Sequence, residues 1–265
     1  MDKNKAVNSV KETWQPLPHV APVGFKNSLL FYLRLLCDFW VSVVYKDVKE
    51  FLRNTDNSVL EVGCGLKPYR HLVPEDVRYC GIDWEGAHSS FHYNSNDTIY
   101  YNGDVFPLPD ESFDYLFHTE VLEHIYDLNG FLSECYRVLS KKGKMFFTIP
   151  FAARYHYIPY DYWRLTPSSI QKLLTSAGFI NVIVNPKGSD MVVIIAKINV
   201  LLIRTIMRPT RNSVLRMVNR AVFGLLFVIP WAFFTLIGHL LLFLKIGSVN
   251  DPLGYTVYCE KNLAR

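Results

Sequence analysis

The chain has few cysteines and no pattern among them. Its five, Cys37, Cys64, Cys80, Cys135 and Cys259, are odd in number and scattered over 265 residues. No Cys-x-x-Cys or Cys/His spacing offers a zinc site, so no metal is expected, and nothing suggests a disulfide framework. Buried, reduced thiols are the plain reading. An apolar signal core is missing from Met1 to Val23, which is polar and proline-rich, so secretion is not expected and the body reads as cytoplasmic. There is no internal repeat and no low-complexity tract. Acids are missing from one region. Between Met191 and Asn250 stand Lys197, Arg204, Arg208, Arg211, Arg216, Arg220 and Lys245, with no Asp or Glu. Subtracting these seven from the 28 Lys and Arg leaves 21 bases against 24 acids in a mildly acidic body. That excludes a uniformly basic nucleic-acid binder, and no nucleic acid is expected as partner. The basic part is aimed at an anionic membrane surface or an acidic partner.

What is present is enough apolar residue, half of the chain, to build a real core. Residues 1–24 read as an irregular arm, and a single helical pattern follows from Asn27 to about Arg53. Arg34, Asp38 and Lys46 interrupt its apolar face, so it reads as packed on the body or lying at a membrane surface rather than spanning. Strand and helix signals alternate from Ser58 onward. Strands are expected at Val59–Val62, Arg78–Asp83, Thr98–Tyr101, Asp114–His118, Lys144–Ile149, Phe179–Val184 and Gly254–Glu260. Leu128, Phe131, Leu132, Cys135, Val138 and Leu139 form the stripe of an amphipathic helix ended by Lys142-Gly143. Thr166-Pro167 opens a second helix and Gly178 stops it. The pattern predicts an α/β fold, doubly wound around a mostly parallel, seven-stranded, Rossmann-like sheet, with an apolar helical insert before the last strand. The expected units are an N-terminal arm and helix (1–56), a core (57–190), the insert (191–250) and the last strand with the C-terminus (251–265).

Val59-Leu60-Glu61-Val62-Gly63-Cys64-Gly65 is a strand running into Gly-x-Gly ahead of an expected helix, a turn that lets a ligand approach the backbone. A dinucleotide fingerprint would place a third glycine where Pro68 stands, which disfavours a dehydrogenase. Asp83 closes the next strand and can accept both hydroxyls of a ribose. Glu61 would repel phosphates but suits a cationic head, as in S-adenosylmethionine, whose carboxylate could meet the helix N-terminus. The stretch Gly103-Asp104-Val105-Phe106-Pro107-Leu108-Pro109-Asp110-Glu111-Ser112-Phe113-Asp114, with Val121-Leu122-Glu123-His124, Arg137-Val138-Leu139 and Gly143, completes a set. From about Ser58 to Val184 the chain resembles class I S-adenosylmethionine-dependent methyltransferases of the type 11 group. Pro109 departs from the aromatic usual there. The resemblance implies that Glu61, Gly63 and Gly65 line the methionine part and that Asp83 holds the ribose. It also implies Trp84 beside the adenine, Asp104 and the backbone of Val105 at its amino group, and Glu120 near the methyl donor.

His156-Tyr157-Ile158-Pro159-Tyr160-Asp161-Tyr162-Trp163-Arg164-Leu165-Thr166-Pro167 follows a strand C-terminus, where ligands bind in such sheets. It resembles a Pro-x-Asp-Tyr-Trp-Arg-x-Thr-Pro segment of methyltransferases of bacterial cell-surface polysaccharide synthesis. That implies Tyr162, Trp163 and Arg164 as acceptor-binding groups, with a small-molecule or lipid-linked glycan as acceptor. The structural alternative is that Arg164 pairs with Asp161 while Tyr162 and Trp163 pack at the sheet edge. His156 and Asp161 are general-base candidates, with His124 a third; a capping or core role is the other reading of His124. Lipid or quinone methylation is a competing activity, and a catalytically silent, membrane-docked binding protein a third reading.

In the insert, Val222–Leu244 carries no charge and is long enough for about 34 Å of helix. Pro230 is expected to kink it. Lys197, Arg204, Arg208 and Arg211 fall on one helical stripe, the pattern of a helix in a membrane interface with its cations on the wet side. The resemblance implies that the strands on either side of the insert belong to one sheet, which excludes a single crossing. The expectation is peripheral or monotopic attachment at the cytoplasmic face of the membrane; the alternative is that both helices pack on protein.

Overall fold

The structure, a computed structural model, describes residues 19–87, 95, 97–206 and 213–263. Helices α1 (Gly24–Cys37) and α2 (Phe39–Arg53) come first. They replace the single predicted helix and meet at 111°. The reason is Asp38: its carboxylate accepts the Trp40 and Val41 amides at 3.1 and 3.2 Å, which caps a new helix and ends the old one.

Seven strands follow: β1 (Ser58–Val62), β2 (Arg78–Trp84), β3 (Ile99–Tyr101), β4 (Phe113–Thr119), β5 (Leu139–Pro150), β6 (Phe179–Lys187) and β7 (Gly254–Lys261). Their order is β3-β2-β1-β4-β5-β7-β6. All neighbours are parallel except β7, which runs antiparallel to both β5 and β6. Every residue of β1 is buried, as a strand covered on both faces must be. Helix α3 (Leu128–Val138) buries Leu128, Phe131, Leu132, Cys135 and Val138, the predicted stripe. Helix α4 (Pro167–Ala177) starts on Thr166, which accepts the Ser169 amide, and stops at Gly178 with φ 102°. One core joins α3 and α4 to β1, β4, β5 and β7. A second lies under α2 on the opposite face.

Two local expectations change. No α-helix follows Gly65. The chain makes turns and one 3-10 turn at Arg70–Leu72 before reaching β2. Lys67 sits at φ 51°, and Pro68 and Pro74 withhold amides a helix would use. The cofactor carboxylate therefore has no helix N-terminus to meet there. Lys142-Gly143, expected to end α3, lies inside β5. The register steps from Phe113↔Leu139 to Tyr115↔Lys144, so 140–143 bulge out of the ladder, with Lys142 at φ 64°.

The insert is a helical hairpin, α5 (Asp190–Ile206) and α6 (Ser213–Leu244). Helix α6 runs unbroken past Pro230. Buried Asn199 donates to Thr235 across the pair at 3.0 Å. Asp190 and Ser248 close the base, the Asp190 amide reaching the Ser248 carbonyl at 3.0 Å. On α6, Phe39 packs against Gly238, where a side chain would sit 2.2 Å from the ring. Arg208 and Arg211 lie outside the described residues.

Candidate functional site

A cavity of about 1040 Å³ opens over the C-terminal ends of the parallel strands, the place where such sheets bind ligands. At one end it is lined by Glu61, Gly63, Gly65, Asp83, Trp84 and Asp104. The glycine turn is needed in its present form. Gly63 and Gly65 have φ 66° and 52°, and a Cβ on Gly63 would stand 2.5 Å from a Val121 methyl. Asp83 is buried; its Oδ2 accepts the Gly65 amide at 2.8 Å and its Oδ1 the Trp84 amide at 2.7 Å. A carboxylate accepts at two oxygens, the chemistry that the two hydroxyls of a ribose call for. Trp84 lies against Gly103 and meets Tyr160 edge-on at 5.3 Å, forming a flat apolar wall. Asp104 is exposed at the rim, steadied by Asn102.

Glu61 is buried at the base of this end, with the Tyr79 hydroxyl donating to it. Burial pushes its carboxyl up to about 8, against the opposing pull of Tyr79 and Lys67. A buried carboxyl of this kind gains most from a cation placed beside it.

At the other end the wall comes from four separate segments. Arg34, Asp38 and Trp40 come from the α1–α2 corner, and Glu120, Val121 and His124 from the loop after β4. Residues 152–162 add His156, Tyr157, Tyr160 and Tyr162, and α5 adds Lys197 and Arg204. Glu120, in a left-handed turn at φ 56°, accepts from Thr148 at 2.9 Å. Burial pushes it up to about 7. Glu123 is fully buried, neither of its carboxylate oxygens has a hydrogen-bond partner, and its carboxyl is raised well above the usual range, first by burial and then by Glu120. His124 Nδ1 lies 2.7 Å from the Tyr160 carbonyl, and burial pushes this imidazole down to about 4. His156 Nδ1 lies 2.9 Å from the Arg154 carbonyl and 3.0 Å from Asp161 Oδ2.

The predicted site residues divide accordingly. Glu61, Gly63, Gly65, Asp83, Trp84, Asp104, Glu120, His124, His156 and Tyr162 share the cavity wall. Val105 points to solvent, 63 % exposed. Asp161, Trp163 and Arg164 are not on the wall. Trp163 Nε1 donates to the Ile125 carbonyl at 2.8 Å, and Arg164 grips both oxygens of Asp161 at 2.6 and 2.8 Å. Burial alone would raise the Asp161 carboxyl. The hydrogen bonds from His156 and Arg164 outweigh it and hold the group far below the usual carboxylate range. A carboxylate so stabilised is a poor proton acceptor, so a general-base role for Asp161 does not fit its surroundings. Lys197 and Arg204, expected as cations on the wet side of a membrane helix, both line the cavity, and Lys197 Nζ donates to the Ala152 carbonyl. Glu123, Tyr79 and the α1–α2 corner were missed. Glu123 stood inside the recognised Val-Leu-Glu-His stretch, but only its burial without a hydrogen bond sets it apart.

Residues 60–147 match the family model described as a methyltransferase domain. A probable S-adenosylmethionine-dependent methyltransferase of Mycolicibacterium smegmatis is 31 % identical over 147 residues, 52 % of this chain and 56 % of that protein. One from Mycobacterium tuberculosis is 29 % identical over 140 residues, 49 % of this chain and 51 % of that protein. The chain thus spans about half the length of the curated relatives it matches. Among solved structures, an S-adenosylmethionine-dependent methyltransferase from Archaeoglobus fulgidus superposes with TM-score 0.50 at 17 % identity, over 83 % of this chain and 94 % of that one. Residues 60–147 are thus similar to a methyltransferase domain, and the sheet has the fold of the solved methyltransferase.

Proposed function

We propose that the protein is a methyltransferase that moves a methyl group from S-adenosylmethionine to a hydroxyl of a glycan carried on a lipid, at the cytoplasmic face of a membrane. The observation that carries this reading is the continuity of the cavity. The glycine turn, Asp83 and Glu61 stand at one end, and an aromatic wall ringed by Arg34, Lys197 and Arg204 stands at the other. Tyrosine faces suit sugar rings, and the cations suit the phosphate that links a sugar to its lipid. A quinone offers no anion to such a ring, which is why the glycan is favoured over quinone methylation. The intact cofactor end argues against a silent binding protein. Alignment of acceptor oxygen, methyl and sulfur would supply much of the catalysis.

The membrane part of the proposal rests on exposed apolar surface. Leu226–Leu244 is the one described helix stretch long and apolar enough by itself to cross a membrane, and only 17 % of it is buried. Ile229, Phe233, Leu236 and Phe243 are all more than half exposed, as is Phe25 on α1. The corner of α1 and α2 touches α6, with His239 Nε2 2.8 Å from the Leu36 carbonyl. Both ends of the hairpin meet at one place, so shallow burial in one leaflet satisfies the chain.

Methyl transfer from labelled S-adenosylmethionine to lipid-linked sugars and, separately, to quinones tests the substrate. Labelled quinone with unlabelled sugar would reverse the assignment. For the membrane, Phe233→Ser with Phe243→Ser is expected to reduce vesicle flotation severalfold. Wild-type protein that stays monodisperse without detergent and ignores vesicles would remove the membrane from the proposal.

A further inference from the structure

We infer that Glu123, His124 and His156 form a binding site for a divalent first-row transition-metal ion, of the manganese, iron(II) or zinc kind, at the acceptor end of the cavity. One ligand atom from each lies within 4.8 Å of the other two. His124 Nε2 and Glu123 Oε1 already stand 3.7 Å apart. An ion bonded at about 2.1 Å needs its donors roughly 3.0–3.4 Å apart, so small side-chain adjustments close the set. Two imidazoles and one carboxylate are the donors such ions take, with positions left open for an exogenous oxygen.

Two further observations point to a ligand. Glu123 is fully buried with both carboxylate oxygens lacking any hydrogen-bond partner. Leaving a buried carboxyl without a hydrogen bond is costly, and a bound cation offsets that cost. The backbone holds Glu123 in place, its carbonyl accepting the Tyr162 amide at 2.7 Å. The imidazoles are also oriented as metal ligands are. Nδ1 of His124 is held by the Tyr160 carbonyl, and Nδ1 of His156 by the Arg154 carbonyl and Asp161, which presents Nε2 of each ring as the coordinating atom. Asp161 in turn is clamped by Arg164. On this view the Asp161–Arg164 pair consists of positioning residues, which accounts for its place behind the cavity wall.

The inference deepens the methyl-transfer proposal and rests on it only for the ion's role. An acceptor hydroxyl on the ion is acidified. Its oxygen forms a bond to the methyl carbon as the carbon–sulfur bond breaks. The electron pair of that bond returns to sulfur, which becomes a neutral thioether, and the hydroxyl proton leaves to water.

The test is metal uptake by the full chain after stripping with chelator, read by calorimetry with Mn²⁺ and Zn²⁺ and by the visible spectrum with Co²⁺. One ion per chain is expected. Glu123→Gln and His156→Ala are each expected to weaken it at least tenfold. Asp161→Asn should weaken it about 10–100-fold through ring orientation, and it should alter the Co²⁺ spectrum. Fold is checked by thermal unfolding and by S-adenosylmethionine affinity, which should stay within about twofold. No uptake by the stripped protein, or equal uptake by wild type and both ligand variants, overturns the site. Uptake is read without methyl donor or acceptor, so its failure leaves the methyltransferase reading standing. The failure of methyl transfer likewise leaves the uptake result standing.

Discussion

The two ends of the cavity are built by different means. The cofactor end comes from one stretch of chain, β1 through the loop after β3, and its chemistry lies largely in backbone: a left-handed glycine turn and the amides that hold Asp83. The acceptor end is assembled from four segments that meet only in the folded molecule, and its chemistry lies in side chains held by other side chains. A backbone site tolerates variation around it, because what matters is the path of the chain. A side-chain site depends on each supporting contact, and damage to one spreads to the rest.

The comparison can be broken most sharply at Asp83. Asp83→Ala should cost about 2–4 kcal/mol of S-adenosylmethionine affinity by calorimetry, through lost charge-assisted hydrogen bonds. Its effect on acceptor binding should be small. Undiminished cofactor affinity would take Asp83 out of the site. At the other end, Arg164→Ala leaves the Asp161 carboxylate buried without its cation, and a loss of about 2–3 kcal/mol in chemical denaturation is expected. Cofactor affinity should change by less than a few tenths of a kcal/mol. If cofactor binding falls as steeply as stability, the two ends are one cooperative unit and the contrast fails.

Smaller effects sharpen the division. Lys197→Gln and Arg204→Gln should each raise the acceptor KM about fivefold, near 1 kcal/mol, with vesicle association little changed because both side chains face the cavity. The reverse pattern, vesicle binding lost and KM kept, would return them to the membrane face. The smallest signal is a proton. Glu61, raised to about 8 by burial, is mostly protonated at neutral pH in the free protein. A cationic cofactor favours the carboxylate, lowers that value and releases a proton on binding. Calorimetry in buffers of different ionisation heat should show the release at neutral pH and its decline as the pH rises past that value. No buffer dependence would mean that the ammonium or sulfonium lies elsewhere.

The same contrast explains what could be read in advance. The strands at β1, β2 and β4 and the helix opened by Thr166-Pro167 and closed by Gly178 were legible, because each depends on local pattern and turn chemistry. So was the cofactor signature, which lies within one supersecondary unit. The missing helix after Gly65 was not legible from the glycines, since Pro68 and Pro74 decide it from either end. The α1–α2 corner turned on one carboxylate, Asp38, which sits in an otherwise continuous apolar pattern and acts as a cap only when the chain bends. Arg164 with Asp161 was foreseen as an alternative, three residues apart. Its link to His156, and through the loop to Glu123, was not, because burial of a carboxylate is a property of the whole molecule rather than of a stretch of sequence.

The position of β7 between β5 and β6 has a consequence for synthesis. It is the last strand in chain order but an interior strand of the sheet, so until it is made β5 and β6 each present an unpaired edge. By then the apolar hairpin has already left the ribosome, because it precedes β7 in the chain. The unfinished molecule therefore exposes two open strand edges and a greasy helix pair together, the combination that draws chains into aggregates. On the proposed reading, capture of the hairpin by a lipid surface would cover its apolar helices while β5 and β6 wait for the one strand that pairs with both. The membrane of that proposal would then shield the hairpin during translation as well as hold the finished enzyme.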